Sequence, residues 1–362
     1  MIDRKLLVNL DWILLLTVVL LSVIGVLLVA SASQNLSANY AQRQAAWTGI
    51  GIVLMLIAMS IDYHRLTDRA AVLYLPVMGL LVYLLIFGRT ISGAKSWIVV
   101  GPIRIQPSEL AKIVLALMLA KIFAEFRMTT ASTREVLVVG LIAGVPFLLT
   151  AAQPDLGTAA TLVPIAGCAL MLAGLRARWF VAMGLLVVVV CLVAWIFLLK
   201  DYQRARVVSF ISPGTDPRGS GYHSIQSRIA VGSGGVYGRG YRKGSQSSLE
   251  FLPARHTDFV FSVLAEEEGF LGTTGVLVLY AVLILRGLRA ARHARDREGL
   301  YLAACLTTLI AFHIIINVGM VAGLLPITGI PLPFLSYGGS FTVTMFISIG
   351  LILNVRMRRT VN

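Results

Sequence analysis

The chain alternates between long apolar runs and short polar, mostly basic, stretches. The runs are about 17–22 residues long, the length that crosses the hydrocarbon core of a bilayer. About ten spans are expected, near 12–32, 47–61, 71–87, 108–124, 136–151, 158–174, 179–199, 269–288, 299–322 and 339–355. The first run follows Arg4 and Lys5 and ends at Ala30-Ser31-Ala32, the outline of a signal peptide. Its length favours an uncleaved first helix. No tandem repeat and no detachable soluble domain are visible, so residues 1–362 read as one all-α polytopic membrane domain.

Composition agrees. The chain is 57% apolar and 13% charged, with a mean hydropathy of +0.85, which excludes an ordinary soluble domain and also disorder. The net charge of +14 is scattered between spans, as expected for loops facing anionic lipid, and does not point to nucleic acid. Cys168, Cys191 and Cys305 all lie in apolar runs without metal-site spacing, so disulfides and structural zinc are not expected.

Counting basic residues in short loops orients the chain. Arg65, Arg69, Arg127, Arg134, Arg176, Arg178 and the five arginines between Arg286 and Arg297 fall on one side. Arg43, Arg89, Lys95 and Arg104 fall on the other, which places both termini in the cytoplasm. The stretch 200–268, between spans 7 and 8, is then one long extracytoplasmic loop. It mixes Gly and Ser with Tyr222, Ile225, Ile229 and Phe251, the composition of an ordered loop packed on the membrane.

Of the seventeen carboxylates, nine fall on the outer side: Glu109, Asp155, Asp201, Asp216, Glu250, Asp258, Glu266, Glu267 and Glu268. Ionisable groups beside a span are costly and draw attention for that reason. In Arg255-His256-Thr257-Asp258, the carboxylate is placed either to act as a general base or to form an interfacial ion pair that fixes the loop. Glu109 and Lys112, three apart, share a helix face and suit an ion pair; with Arg104 they could also hold a phosphate-bearing head group. Gln153-Pro154-Asp155-Leu156-Gly157 and the stretch from Pro331 to Ser340 read as outer turns, with Asp155 suited to cap a helix. Gly232–Gly240 lacks the order and context of a nucleotide loop; its glycines suit close backbone packing.

Taken together, QPSE…K (Gln106 to Lys112), QPDLGT (Gln153 to Thr158), HTDF (His256 to Phe259) and PITGIPLPFLSYGGS (Pro326 to Ser340) closely resemble the SEDS family of polytopic peptidoglycan glycosyltransferases. The likeness covers essentially the whole chain and leans toward the rod-shape elongation members over the division members.

The resemblance implies an inverting glycosyltransferase that polymerises lipid II outside the cytoplasmic membrane. It implies Asp258 as the base for the acceptor hydroxyl, with Arg104 and Lys112 bearing the charge of the leaving undecaprenyl diphosphate. Glu109, Asp155, His256 and Ser336 complete the expected substrate-binding set. The implied partners are a class B penicillin-binding protein and other membrane proteins of the elongation complex. No organic cofactor is expected; whether a divalent cation assists the diphosphate stays open. Two positions depart from the family pattern, Ala254 and Glu268; neither touches the expected base, but Ala254 removes an auxiliary carboxylate, which leaves Glu109 and Asp155 as the secondary candidates. A lipid II flippase or a scaffold for the elongation machinery remain the alternatives.

Overall fold

The computed structural model describes residues 8–34, 39–90, 93–101, 103–125, 133–175, 220–244 and 255–360, with isolated positions between 179 and 210. The expected span near 179–199 falls largely outside these residues, as do Cys191, Asp201, Asp216, Glu250 and Ala254.

The apolar runs form helices because only a helix satisfies its own backbone inside a bilayer. In chain order these are α1 (Trp12–Ala32), α2 (Tyr40–Ser60), a short α3 (Tyr63–Asp68) and α4 (Ala70–Phe87). A two-stranded hairpin follows, β1 (Ile98–Val100) against β2 (Ile103–Ile105), with Val99 opposite Arg104. Next come α5 (Pro107–Glu125), α6 (Thr133–Ala152), and a broken pair, α7 (Leu156–Ala160) and α8 (Leu162–Leu172). Beyond them lie α9 (Ser220–Ser233), α10 (Val260–Arg292), α11 (Arg297–Val321) and α12 (Gly339–Met357). Seven of these helices are long and apolar enough to cross a membrane: α1, α2, α4, α6, α10, α11 and α12.

The centre of the bundle is α5, α11 and α12, buried on most of their surface. Around them α4 and α8 flank α5, α2 lies along α12, and α1 and α10 pack against each other. Close approach depends on small residues. Gly350 of α12 rests on the Met55 carbonyl, and Gly51 of α2 rests on the Phe346 ring.

One helix starts earlier than its apolar run suggests. α10 begins at Val260, within the expected loop, and breaks at Gly269, whose φ of 64° and ψ of −159° only glycine adopts readily. The break frees amides and carbonyls, and the glycine-rich run after α9 satisfies them. Phe270 and Leu271 donate to the carbonyls of Gly235 and Val236, while Arg239 and Gly240 donate to those of Glu266 and Glu267. Gly234 and Gly238 sit directly on this backbone, where a β-carbon would collide. Gly269→Ala is therefore expected to lose more than about 2 kcal/mol, since it adds strain to overlap. Gly275→Ala, with open space around it, should be neutral or stabilising. Thermal unfolding of both variants in detergent checks this.

The arginine-rich face is clipped by ion pairs. Arg286 grips Asp11 through two nitrogens, at 2.6 and 2.8 Å. His64 bridges Asp62 and Asp296, each at 2.9 Å, while Tyr63 donates to Asp296 at 2.6 Å. Burial works against the charged imidazole, but its hydrogen bonds to the two carboxylates outweigh that and raise the His64 pKa. Burial likewise opposes the Asp62 and Asp296 carboxylates. His64, together with Arg358 beside Asp62 and the Gly299 amide and Tyr63 hydroxyl on Asp296, still holds both below the usual range.

The signs follow. The His64 contribution is complete below its ordinary value of 6.5 and fades as pH rises through the folded value. The carboxylate contributions are complete above 3.8 and fade as pH falls through theirs. The melting temperature should decline above neutral pH, and His64→Gln should flatten that decline. The effect is under about 1 kcal/mol because the cluster is solvent-screened.

Candidate functional site

On the opposite face, the chain between α11 and α12 does not form the surface turn expected from its Pro, Gly and Ser content. Residues 326–338 fold back into the bundle, and Ile330, Leu332, Phe334, Leu335 and Ser336 are buried. Phe334, held at φ 66°, places its carbonyl against Gly25, two turns inside α1, and its ring edge-on to Phe346. A buried carbonyl needs a donor in this setting. Tyr280 of α10 supplies one to Pro333 O at 2.6 Å, and Asn317 of α11 supplies one to Ile330 O at 2.8 Å.

This re-entrant segment brings the other motifs together. Asp258, half-buried just before α10, has its backbone carbonyl held by Asn317 at 2.9 Å. Its carboxylate lies beside Gly329, where an added β-carbon would be 3.6 Å from Oδ2. Ser336 donates to Thr257 O at 2.7 Å and accepts from the Leu332 amide at 2.8 Å. The Tyr337 amide donates to His256 O at 2.9 Å. The His256 ring packs against Tyr40 and Tyr337. Burial and the neighbouring Arg255 push the His256 pKa down, so the imidazole is neutral at pH 7. Arg255 itself is buried and donates to Ala32 O.

Below lies an ion pair that the helix spacing anticipates. Lys112 Nζ donates to Glu109 Oε1 at 2.6 Å, with both side chains almost wholly buried. The third member, His313 of α11, is not anticipated by that spacing; its Nε2 is 3.3 Å from Lys112 Nζ. Its signal was an ionisable residue inside an apolar run. The Phe341 ring packs beside both Lys112 and His313. Lys112 thus lies under the site, whereas Arg104 is exposed on β2 with its carbonyl bonded to Ser340 Oγ at 3.0 Å.

Asp155 does cap a helix: it accepts from the Thr158 amide at 3.1 Å and, through its other oxygen, from Gln106 at 2.9 Å. All seven expected residues therefore border one region, but Glu109, Lys112 and Ser336 are enclosed while Asp258, His256, Asp155 and Arg104 reach its surface.

A half-buried carboxylate and a buried ion pair, both tied to one re-entrant segment through α11, mark a multi-pass membrane protein with a polar cluster at one end of the bundle. The family model described as cell cycle protein, that of FtsW, RodA and SpoVE, matches residues 11–361. The chain belongs to this family, the SEDS proteins. It is 40% identical to the peptidoglycan glycosyltransferase MrdB of Escherichia coli K12, over 97% of this chain and 95% of that protein. It is 39% identical to stage V sporulation protein E of Bacillus subtilis, over 95% of this chain and 96% of that one. Among solved structures, a chain of a peptidoglycan synthase complex that coordinates polymerization and crosslinking superposes with a TM-score of 0.84. The two chains share 31% identity, with 98% of this chain and 99% of that chain covered. The rod shape determining protein RodA of Thermus thermophilus superposes with a TM-score of 0.73 at 28% identity, with 98% of each chain covered.

Proposed function

We propose that the chain is a peptidoglycan glycosyltransferase that polymerises lipid II for cell-wall elongation, with Asp258 as general base. The observation that carries the reading is the placement of Asp258: a half-buried carboxylate whose backbone is pinned by Asn317 and which lies beside Gly329 of the re-entrant segment. In the reaction, the acceptor 4-hydroxyl gives its proton to Asp258 while its oxygen attacks the donor anomeric carbon. The bond from that carbon to the phosphate oxygen breaks with inversion, and undecaprenyl diphosphate leaves with the electron pair. Arg104 at the surface pairs with the diphosphate. Lys112, in the low-dielectric interior beneath, adds a positive charge that needs no reorganisation as the leaving group forms. His256, neutral and two residues from Asp258, sits where it can hydrogen-bond a sugar.

The site faces outward across the cytoplasmic membrane on this reading, because the other face gathers the arginines. A class B penicillin-binding protein is the partner that crosslinks the product; the likeness to a chain of a peptidoglycan synthase complex supports this. The test is glycan formation from lipid II by the purified chain with such a partner, the partner's transpeptidase being blocked. Polymer supports the reading. Lipid II crossing vesicles without polymer would replace it with transport.

A further inference from the structure

We infer that His313 is a positioning residue for the transfer reaction, holding the Lys112 ammonium in register with Asp258; this rests on the reading above. The Lys112–Glu109 pair lies within one helix, three residues apart, so it does not by itself fix the ammonium relative to other elements. His313 supplies a polar contact to it from another element, where the Phe341 ring only packs. Its Nδ1 lies 3.2 Å from Pro331 O, and a carbonyl only accepts, so Nδ1 carries the proton. Nε2 then presents a lone pair to Lys112, which only donates. One neutral tautomer satisfies both partners, and the ring is buried at 1% exposure.

Four residues on, Asn317 makes the matching pair of contacts, to Ile330 O and Asp258 O. Residues four apart lie on one face of a helix. α11 therefore holds adjacent carbonyls of the re-entrant segment, Ile330 and Pro331, with two side chains, and each side chain also holds one charged element of the site. The spacing between base and cation is set by about 6 Å of helix rise. Losing the His313 side chain removes a polar partner from Lys112 and the donor from Pro331 O together.

The experiment compares His313→Leu with His313→Gln, whose amide can donate to the carbonyl and accept from the ammonium. It runs both in the wild type and in a Lys112→Met/Glu109→Gln background. His313→Leu should lower kcat on the order of 10–100-fold, as displaced catalytic groups do, with KM little changed and the melting temperature lowered by the lost donor to Pro331 O. His313→Gln should restore most of the rate. In the double-variant background His313→Leu should have no further effect, because its target is gone.

A second readout needs no turnover: the ¹⁵Nζ resonance of Lys112 should shift in His313→Leu and return toward the wild-type position in His313→Gln. Equal losses in both backgrounds, no rescue by glutamine, or an unshifted resonance would overturn the inference. A wild type that does not polymerise, with the resonance behaving as expected, would overturn the function and leave the positioning intact.

Discussion

Asp258→Asn is expected to abolish polymerisation, with a rate loss on the order of 10²–10⁴-fold, the range for removing a general base. The substitution keeps the shape of the side chain and the backbone carbonyl that accepts from Asn317, so the protein should fold, melt as the wild type does and still bind lipid II. The other carboxylates are poorly placed to take over. Glu109 is buried against Lys112, and Asp155 is committed to Gln106 and the start of α7. Asp258→Glu should fail nearly as badly, because an extra methylene moves the oxygen from beside Gly329. The measurement is glycan-chain length and rate at matched protein abundance. Polymer from Asp258→Asn at the wild-type rate would move the base elsewhere.

The second large effect is on stability. Lys112→Met leaves Glu109 charged, buried and without its cation, an arrangement that costs about 3–5 kcal/mol. Folded proteins are stable by only about 5–15 kcal/mol, so this variant should accumulate poorly. Adding Glu109→Gln removes the stranded charge and should return the melting temperature close to that of the wild type. Activity should not return with it: without the buried cation, polymerisation stays down on the order of 10²-fold. A double variant that recovers both stability and rate would reduce the pair to a structural role. Detergent-phase unfolding and the lipid II assay separate the two outcomes.

The helices were legible because apolar runs of bilayer length admit little else, and the Glu109–Lys112 pair because its spacing is helical. The start of α10 was hidden by Glu266, Glu267 and Glu268, which make the segment look like loop. Glu266 and Glu267 are nonetheless buried, and Ser31 of α1 donates to Glu267. Pro331–Ser340 misled for a related reason: turn residues read the same whether the turn is wet or enclosed. What encloses this one lies far away in sequence, at Gly25, Tyr280, His313 and Asn317. A lone histidine in an apolar run forms no spacing pattern, so His313 became visible only with Pro331 and Lys112 on either side.

The re-entrant segment also depends on elements made before it. Its carbonyls are satisfied by side chains of α10 and α11 and its backbone lies on α1, all made earlier during synthesis. A chain halted after α11 would carry every charged residue of the site and yet lack Pro331 and Ser336, the partners of His313 and Thr257.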